Sequence, residues 1–268
     1  MIMAHRIVGV DDQGSRVLAA LAPKERVGTL LADLAQVGAD PKSLVLDGDV
    51  LGGLGGSGVE AILDLGHSRT VVTVAQDGQT IFSRGISQGG LHLTTALAAA
   101  LGIDADAAQQ RKHAARLATP TMAEWSDDEA TQAESAPIDA ASSDGEILRS
   151  ALAPLIASIR TTLIGFEEQS GVEIDRIQIT GGTSNMAGLV TRLKAEFGVA
   201  VAILRTGSMD ANQPNAHALS TALADRAAGV DHGAAMELRA NHFKYRGDLA
   251  SARMLALASA AAALLGLI

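Results

Sequence analysis

The chain has 268 residues, a net charge of −9, 47% hydrophobic residues and no cysteine. That length suits one large or two modest domains, and the missing thiols exclude a disulfide framework and thiolate metal sites, as fits a cytosolic face. Only 2% of residues are aromatic, so a core must rest on Ala, Leu, Val and Ile, and no basic patch interleaved with aromatics points to nucleic acid.

Met1 to Arg6 lack the apolar core of a cleaved signal peptide. Val8-Gly9-Val10-Asp11-Asp12-Gln13-Gly14-Ser15 faintly follows a strand–Asp-x-Gly pattern and runs straight on into Val17 to Val27. A helix then ends at Val37-Gly38-Ala39-Asp40-Pro41. Gly53-Leu54-Gly55-Gly56-Ser57-Gly58 formally fits G-x-G-x-x-G. A strand pattern follows it, not the helix a dinucleotide needs, so it reads as a flexible hinge.

Residues Ala61 to Val74 carry the most information. They read as strand, tight turn and strand, with Asp64 ending the first strand, Gly66 in the turn, and Ser68 and Thr70 at the bend. Such a tip suits a phosphate, because its backbone amides form an anion-binding concavity and the acid can handle magnesium or a water. The same residues also make an ordinary Gly/Ser turn. Asp77-Gly78 signals a second hairpin, and a third strand runs from Thr80 to Arg84. After Gly89-Gly90, Leu91, Leu93, Leu97, Ala100 and Leu101 fall at helical spacing up to Gly102.

Between Leu117 and Leu148 there is no Lys or Arg but eight acids, with Trp125 and two prolines. This stretch reads as a mobile acidic insertion, and its lone indole also suits a docking peptide for a basic partner. From Ile147 to Leu163 an apolar stripe predicts a helix, with Asp144 able to cap its start and Pro154 a kink or early boundary. Asp175 to Thr180 is a strand, Gly181-Gly182-Thr183-Ser184-Asn185 a turn, and Met186 to Phe197 a helix. Paired glycines at such a joint let a ribose or a flat ring approach the backbone. The seven histidines include no pair at metal-ligand spacing, and His67 reads as a solvent-facing turn residue.

From Met254 to Ile268 no charge appears, and Arg239, Lys244, Arg246 and Arg253 precede the run. Fifteen helical residues span about 22 Å, short of the roughly 30 Å hydrocarbon core. The basic flank favours the start of a transmembrane helix approached from the cytoplasm.

A phosphate hairpin followed by a strand–Gly-Gly–helix joint resembles the actin/hexokinase-like nucleotide fold. Leu63-Asp64-Leu65-Gly66, Phe82-Ser83-Arg84 with Gly89-Gly90, and Thr180-Gly181-Gly182 with Ala187-Gly188-Leu189 are similar to its PilM/FtsA branch. Glu237 to Asp248 before an apolar run resembles the type II secretion system protein L family (GspL). The resemblance implies an α/β, actin-like ATPase (ribonuclease H-like) fold. It implies a small inserted subdomain and hinge at 1–58, and a second large subdomain at 59–117 and 147–230 around an acidic insertion at 118–146. A basic juxtamembrane segment at 231–253 and a membrane span from 254 would follow. The family's earlier phosphate hairpin is not evident, so the chain is expected to be truncated and nucleotide binding weakened. The resemblance further implies weak or vestigial ATP with Mg2+ at Asp64, Gly66, Ser68, Thr70, Gly181, Gly182 and Thr183, with Asp64 on the metal. Implied partners are the cytoplasmic secretion ATPase (GspE class), inner-membrane secretion protein M and a second copy as homodimer. Two functions follow from these readings: a scaffold of the secretion machine in the inner membrane, or a nucleotide-dependent enzyme or PilM-like pilus assembly protein.

Overall fold

A five-stranded mixed sheet, order β5-β4-β3-β6-β7, organises most of the chain in this computed structural model, which describes residues 1–12, 14–117, 143–205, 217–229, 235–239 and 242–245. The chain divides into two compact units, 1–46 with 234–268 and 47–233. The boundary therefore falls at 46/47 and not at the expected 58.

In the second unit, α2 (Asp47–Gly52) leads into β3 (Val59–Leu65), β4 (Thr70–Gln76) and β5 (Gln79–Ile86), an antiparallel meander. Asp77 and Gly78 take positive φ of 51° and 73° at the second turn, the backbone that an Asp-Gly hairpin requires. α3 (Gly90–Leu101) stops at left-handed Gly102, and α4 (Ala105–Ala114) is capped by Asp104, whose side chain accepts from the Ala107 amide. α5 (Ser143–Ser170), β6 (Arg176–Thr180), a 3-10 turn (Gly182–Asn185), α6 (Leu189–Phe197), β7 (Ala200–Ile203) and α7 (Ala218–Ala227) complete the unit. β6 runs parallel to both β3 and β7.

The apolar run of β3 is explained by burial on both faces. Ala61, Leu63 and Leu65 join Leu93, Leu97, Leu148, Leu152, Ile159 and Leu189 in the main core. Ile62 packs on the other face with Leu51, Val71, Leu204 and Ala218. Each fully buried leucine contributes about 1.5–3 kcal/mol. α5 is long and apolar enough to cross a membrane, yet its stripe lies in this core.

Two expectations change here and one narrows. Pro154 lies well inside α5, so it does not mark the early boundary of the helix. α5 begins at Ser143, four residues inside the expected insertion, and buried Asp144 does not cap it through its own side chain. Instead the carboxylate takes two bonds from Arg111, at 2.7 and 2.6 Å, joining α4 to α5. The glycines at 53–58 form no hinge. Within the second unit the Leu54, Gly55, Gly56 and Gly58 amides are held by Leu51 O, Gly52 O, Glu60 and Asp77.

In the first unit, β1 (Ile2–Asp11) and β2 (Gly14–Ala22) form an antiparallel ribbon beside α1 (Lys24–Gln36). The faint pattern at Val8–Ser15 thus makes a hairpin, of two strands only among the described residues. Ile2, Val27 and Leu238 form its small core. The described part of the expected juxtamembrane segment is built into this unit. Leu238 N–H donates to Leu44 O, and Arg239, 7% exposed, binds Asp40, Pro41 O and Phe243 O. The expected membrane run at 254–268 and the Trp125 region lie outside the described residues.

Candidate functional site

β3 and β6 end side by side, with Asp64 opposite Thr180, and the chain turns away from both at glycines. Leu65 pairs with Thr70, so Gly66, His67, Ser68 and Arg69 form the turn that sequence reading singles out. Gly181 leaves β6 with φ of 87°, and a Cβ there would sit 2.4 Å from Asp64 Oδ1 and 2.7 Å from Leu65 O. Only glycine fits that position, both for its backbone and for its space. The Asp64–Gly66 and Gly181–Thr183 segments, distant in sequence, therefore meet.

A third piece completes the site. α3 begins directly on the turn, where Gly90 N–H donates to Gly66 O at 2.8 Å and Leu91 N–H to His67 O at 2.7 Å. Close approach is again bought with glycine: a Cβ on Gly89 would lie 2.6 Å from Gly66 O, and one on Gly90 2.6 Å from Thr183 Oγ1. The Gly66 and His67 carbonyls are thus engaged, whereas the four amides of the turn donate no backbone hydrogen bond among the described residues. A turn with engaged carbonyls and open amides is suited to an anion.

The side chains divide sharply. Asp64 is half-buried, and its carboxyl takes no hydrogen bond from the described residues. Burial, and then the nearby Asp47 charge, push its pKa upward, against the opposing pull of Arg69. Arg69 itself pairs with Asp47 at the start of α2. Thr70 is fully buried and its hydroxyl donates to Gln88 O at 2.9 Å, so it braces the turn from behind. Ser68 and His67 are exposed at the tip, Gly182 faces open space, and buried Thr183 lies 3.5 Å from Gly66 O.

Sequence reading missed Lys112. On α4, 5% exposed, it donates to Gly90 O at 3.0 Å and to Thr94 Oγ1 at 2.8 Å, fixing the start of α3 beneath the turn. Burial lowers its pKa. The sequence offered no signal for it, because α4 carries no apolar stripe that would mark its buried side. Asp47 and Arg69 were missed as well, because their pairing joins elements that sequence does not place together. No cluster of three or more metal-type ligands occurs among the described residues.

Comparison with known proteins fits this geometry. Residues 61–224 match the family model described as cell division protein FtsA. A search of curated proteins finds no match. Among solved structures the chain is similar to a PilM–PilN type IV pilus biogenesis complex, with 20% identity and a TM-score of 0.62 over 86% of this chain and 67% of that one. It is similar to MreB5 of Spiroplasma citri bound to ADP, with 13% identity and a TM-score of 0.53 over 78% of this chain and 67% of that one. It is also similar to a MamK double helical filament, with 20% identity and a TM-score of 0.53 over 78% of this chain and 66% of that one. The chain spans about two thirds of the length of each of these structures. These likenesses show an actin-like α/β fold, and with residues 61–224 matched the chain belongs to the FtsA family.

Proposed function

We propose that this chain is an inner-membrane platform component of the bacterial type II secretion system. In this reading it docks the cytoplasmic secretion ATPase (GspE class), contacts inner-membrane secretion protein M, and couples ATP hydrolysis elsewhere to pseudopilus assembly. The observation that carries the proposal is an actin-like body similar to PilM over 86% of the chain, in a sequence that ends with a basic stretch and an uncharged run. The PilM structure is of a PilM–PilN type IV pilus biogenesis complex.

The chain acts here as an adaptor, and the site between Asp64 and Thr183 is a nucleotide site of low affinity. Its residues fit such a ligand. The turn amides at 66–69, which donate no backbone hydrogen bond among the described residues, suit phosphate, the open side of Gly182 leaves room for a ribose, and the Asp64 carboxyl, which takes no hydrogen bond from the described residues, suits Mg2+. Magnesium would supply charge neutralisation at the phosphates. The protein's own part is to hold the turn rigid through Gly90, Thr70 and Lys112.

A second reading, a nucleotide-dependent enzyme or a PilM-like pilus assembly protein, is favoured by that same Asp64 carboxyl. Titrating the full chain with the N-terminal domain of the secretion ATPase decides between them. The adaptor reading expects a Kd of about 1 μM or tighter, unchanged by Asp64→Ala. Absence of binding by the wild-type chain overturns it.

A further inference from the structure

The turn at 66–69 carries its own cation, and that cation is held by a carboxylate. Lys112 lies beneath the turn, but it is buried and committed to Gly90 O and Thr94 Oγ1, so it cannot reach a ligand. Arg69, in the turn itself, has a side chain 62% exposed. Its backbone is fixed, because a Cβ on Gly66 would lie 2.8 Å from Arg69 O and one on Gly89 2.8 Å from Arg69 N. Only the long side chain is left to move.

That side chain is only partly engaged. One guanidinium nitrogen, Nη2, meets Asp47 Oδ2, and the group donates to no other described residue. A guanidinium has several N–H donors in a planar fork matched to phosphate oxygens, so most of this fork stands idle. Asp47 is the steadier partner, because its Oδ1 accepts from the Gly48 amide at 2.8 Å. Alternation puts Asp64 on the same face of β3 as Ile62, and Ile62 packs against Leu51 of the helix that Asp47 begins. Burial first, and then the Asp47 charge, raise the Asp64 pKa while Arg69 lowers it, so the three charges share one neighbourhood. With both carboxylates ionised, a single guanidinium leaves the mouth of the turn net negative, which opposes an anion.

Resting on the nucleotide reading above, we propose that the Arg69–Asp47 ion pair is an autoinhibitory latch on this turn. Asp47 holds the one mobile cation that would otherwise clamp a phosphate on the amides at 66–69, and so keeps the affinity of the site low. To bind a nucleoside di- or triphosphate, Arg69 exchanges a carboxylate oxygen for phosphate oxygens on the same fork. The exchange is within reach, because an exposed ion pair is weak and a phosphate offers the guanidinium two points of contact. It still strands Asp47 beside Asp64, so a site without the latch binds more tightly than the native one.

The test titrates the full chain with magnesium-ADP by calorimetry, for wild type, Asp47→Asn, Arg69→Ala and the double variant. Asparagine keeps an oxygen for the Gly48 amide, and unchanged circular dichroism checks the fold. We expect Asp47→Asn to tighten binding about fivefold, the scale of an exposed ion pair. Arg69→Ala should weaken binding. In its background Asp47→Asn should gain no more than about twofold, the remainder left by screened repulsion. An unchanged or weaker affinity in Asp47→Asn overturns the proposal. So does an equal gain with and without Arg69, which would make Asp47 a repelling charge and no latch. If no variant binds magnesium-ADP, the nucleotide site fails and the latch with it. The adaptor reading stands or falls separately, in the titration with the secretion ATPase.

Discussion

The turn at Gly66–Arg69 and the ribbon Ile2–Ala22 are both antiparallel hairpins, and their surroundings make them opposites. The first is braced on three sides: β6 and Gly181 flank it, α3 caps its carbonyls, and Thr70 ties it to Gln88. The second has α1, Leu238 and Phe243 under one face and leaves the other apolar face exposed. A hairpin pattern in a sequence therefore carries little function by itself. What the neighbours take, carbonyls in one case and a single face in the other, determines what remains for a ligand or a partner.

Substitutions ordered by expected effect probe this contrast. Gly181→Val places atoms against Asp64 and Leu65 at a positive φ, and strain plus overpacking should cost about 3–6 kcal/mol. Denaturant unfolding with an unchanged m-value measures it. Recovery of near wild-type stability would mean that the turn is not clamped. Leu63→Ala removes a fully buried core side chain beside the site and should cost about 3 kcal/mol.

Arg239→Ala addresses the other region. It removes the ties to Asp40, Pro41 O and Phe243 O, and about 1–2 kcal/mol of local protection with them. Hydrogen exchange should quicken at 40–46 and 235–245 while the sheet strands keep their rates. Faster exchange throughout β3 and β6 would erase the distinction between the regions.

The smallest effect comes from pH at Asp64. Its folded pKa is raised, so protonation favours the folded state. The Asp64 contribution to stability is present at low pH and is lost as pH rises from the ordinary carboxylate value, 3.8, through the raised folded value. Asp64→Asn should therefore be no less stable than wild type at neutral pH, and should lose this pH dependence. A neutral-pH loss above about 1 kcal/mol would mean that the carboxylate is structurally paired.

Much of the sheet was readable from local chemistry. β3 to β5 announce themselves by apolar runs broken at Gly66 and Asp77-Gly78, where the backbone needs glycine or a positive φ, and Gly102 stops α3 for the same reason. The Gly181 joint was readable too, because a strand–Gly-Gly–helix step has few alternative uses. α4 was not: Ala, Gln and charges give it no apolar stripe, so Lys112 had no visible reason to be buried. The glycines at 53–58 read as a hinge because their anchors, Glu60 and Asp77, become neighbours only after the sheet forms. Arg239 read as a membrane flank because its partner Asp40 lies about three quarters of the chain away.

The most direct test of the central claim, an adaptor carrying a weak nucleotide site, is titration of the full chain with magnesium-ATP alongside a turnover assay. The account predicts a Kd of about 0.1 mM or weaker, further weakened by Asp64→Ala, and no hydrolysis. A Kd near 1 μM, with hydrolysis that Asp64→Ala abolishes, would contradict it and make the chain an enzyme.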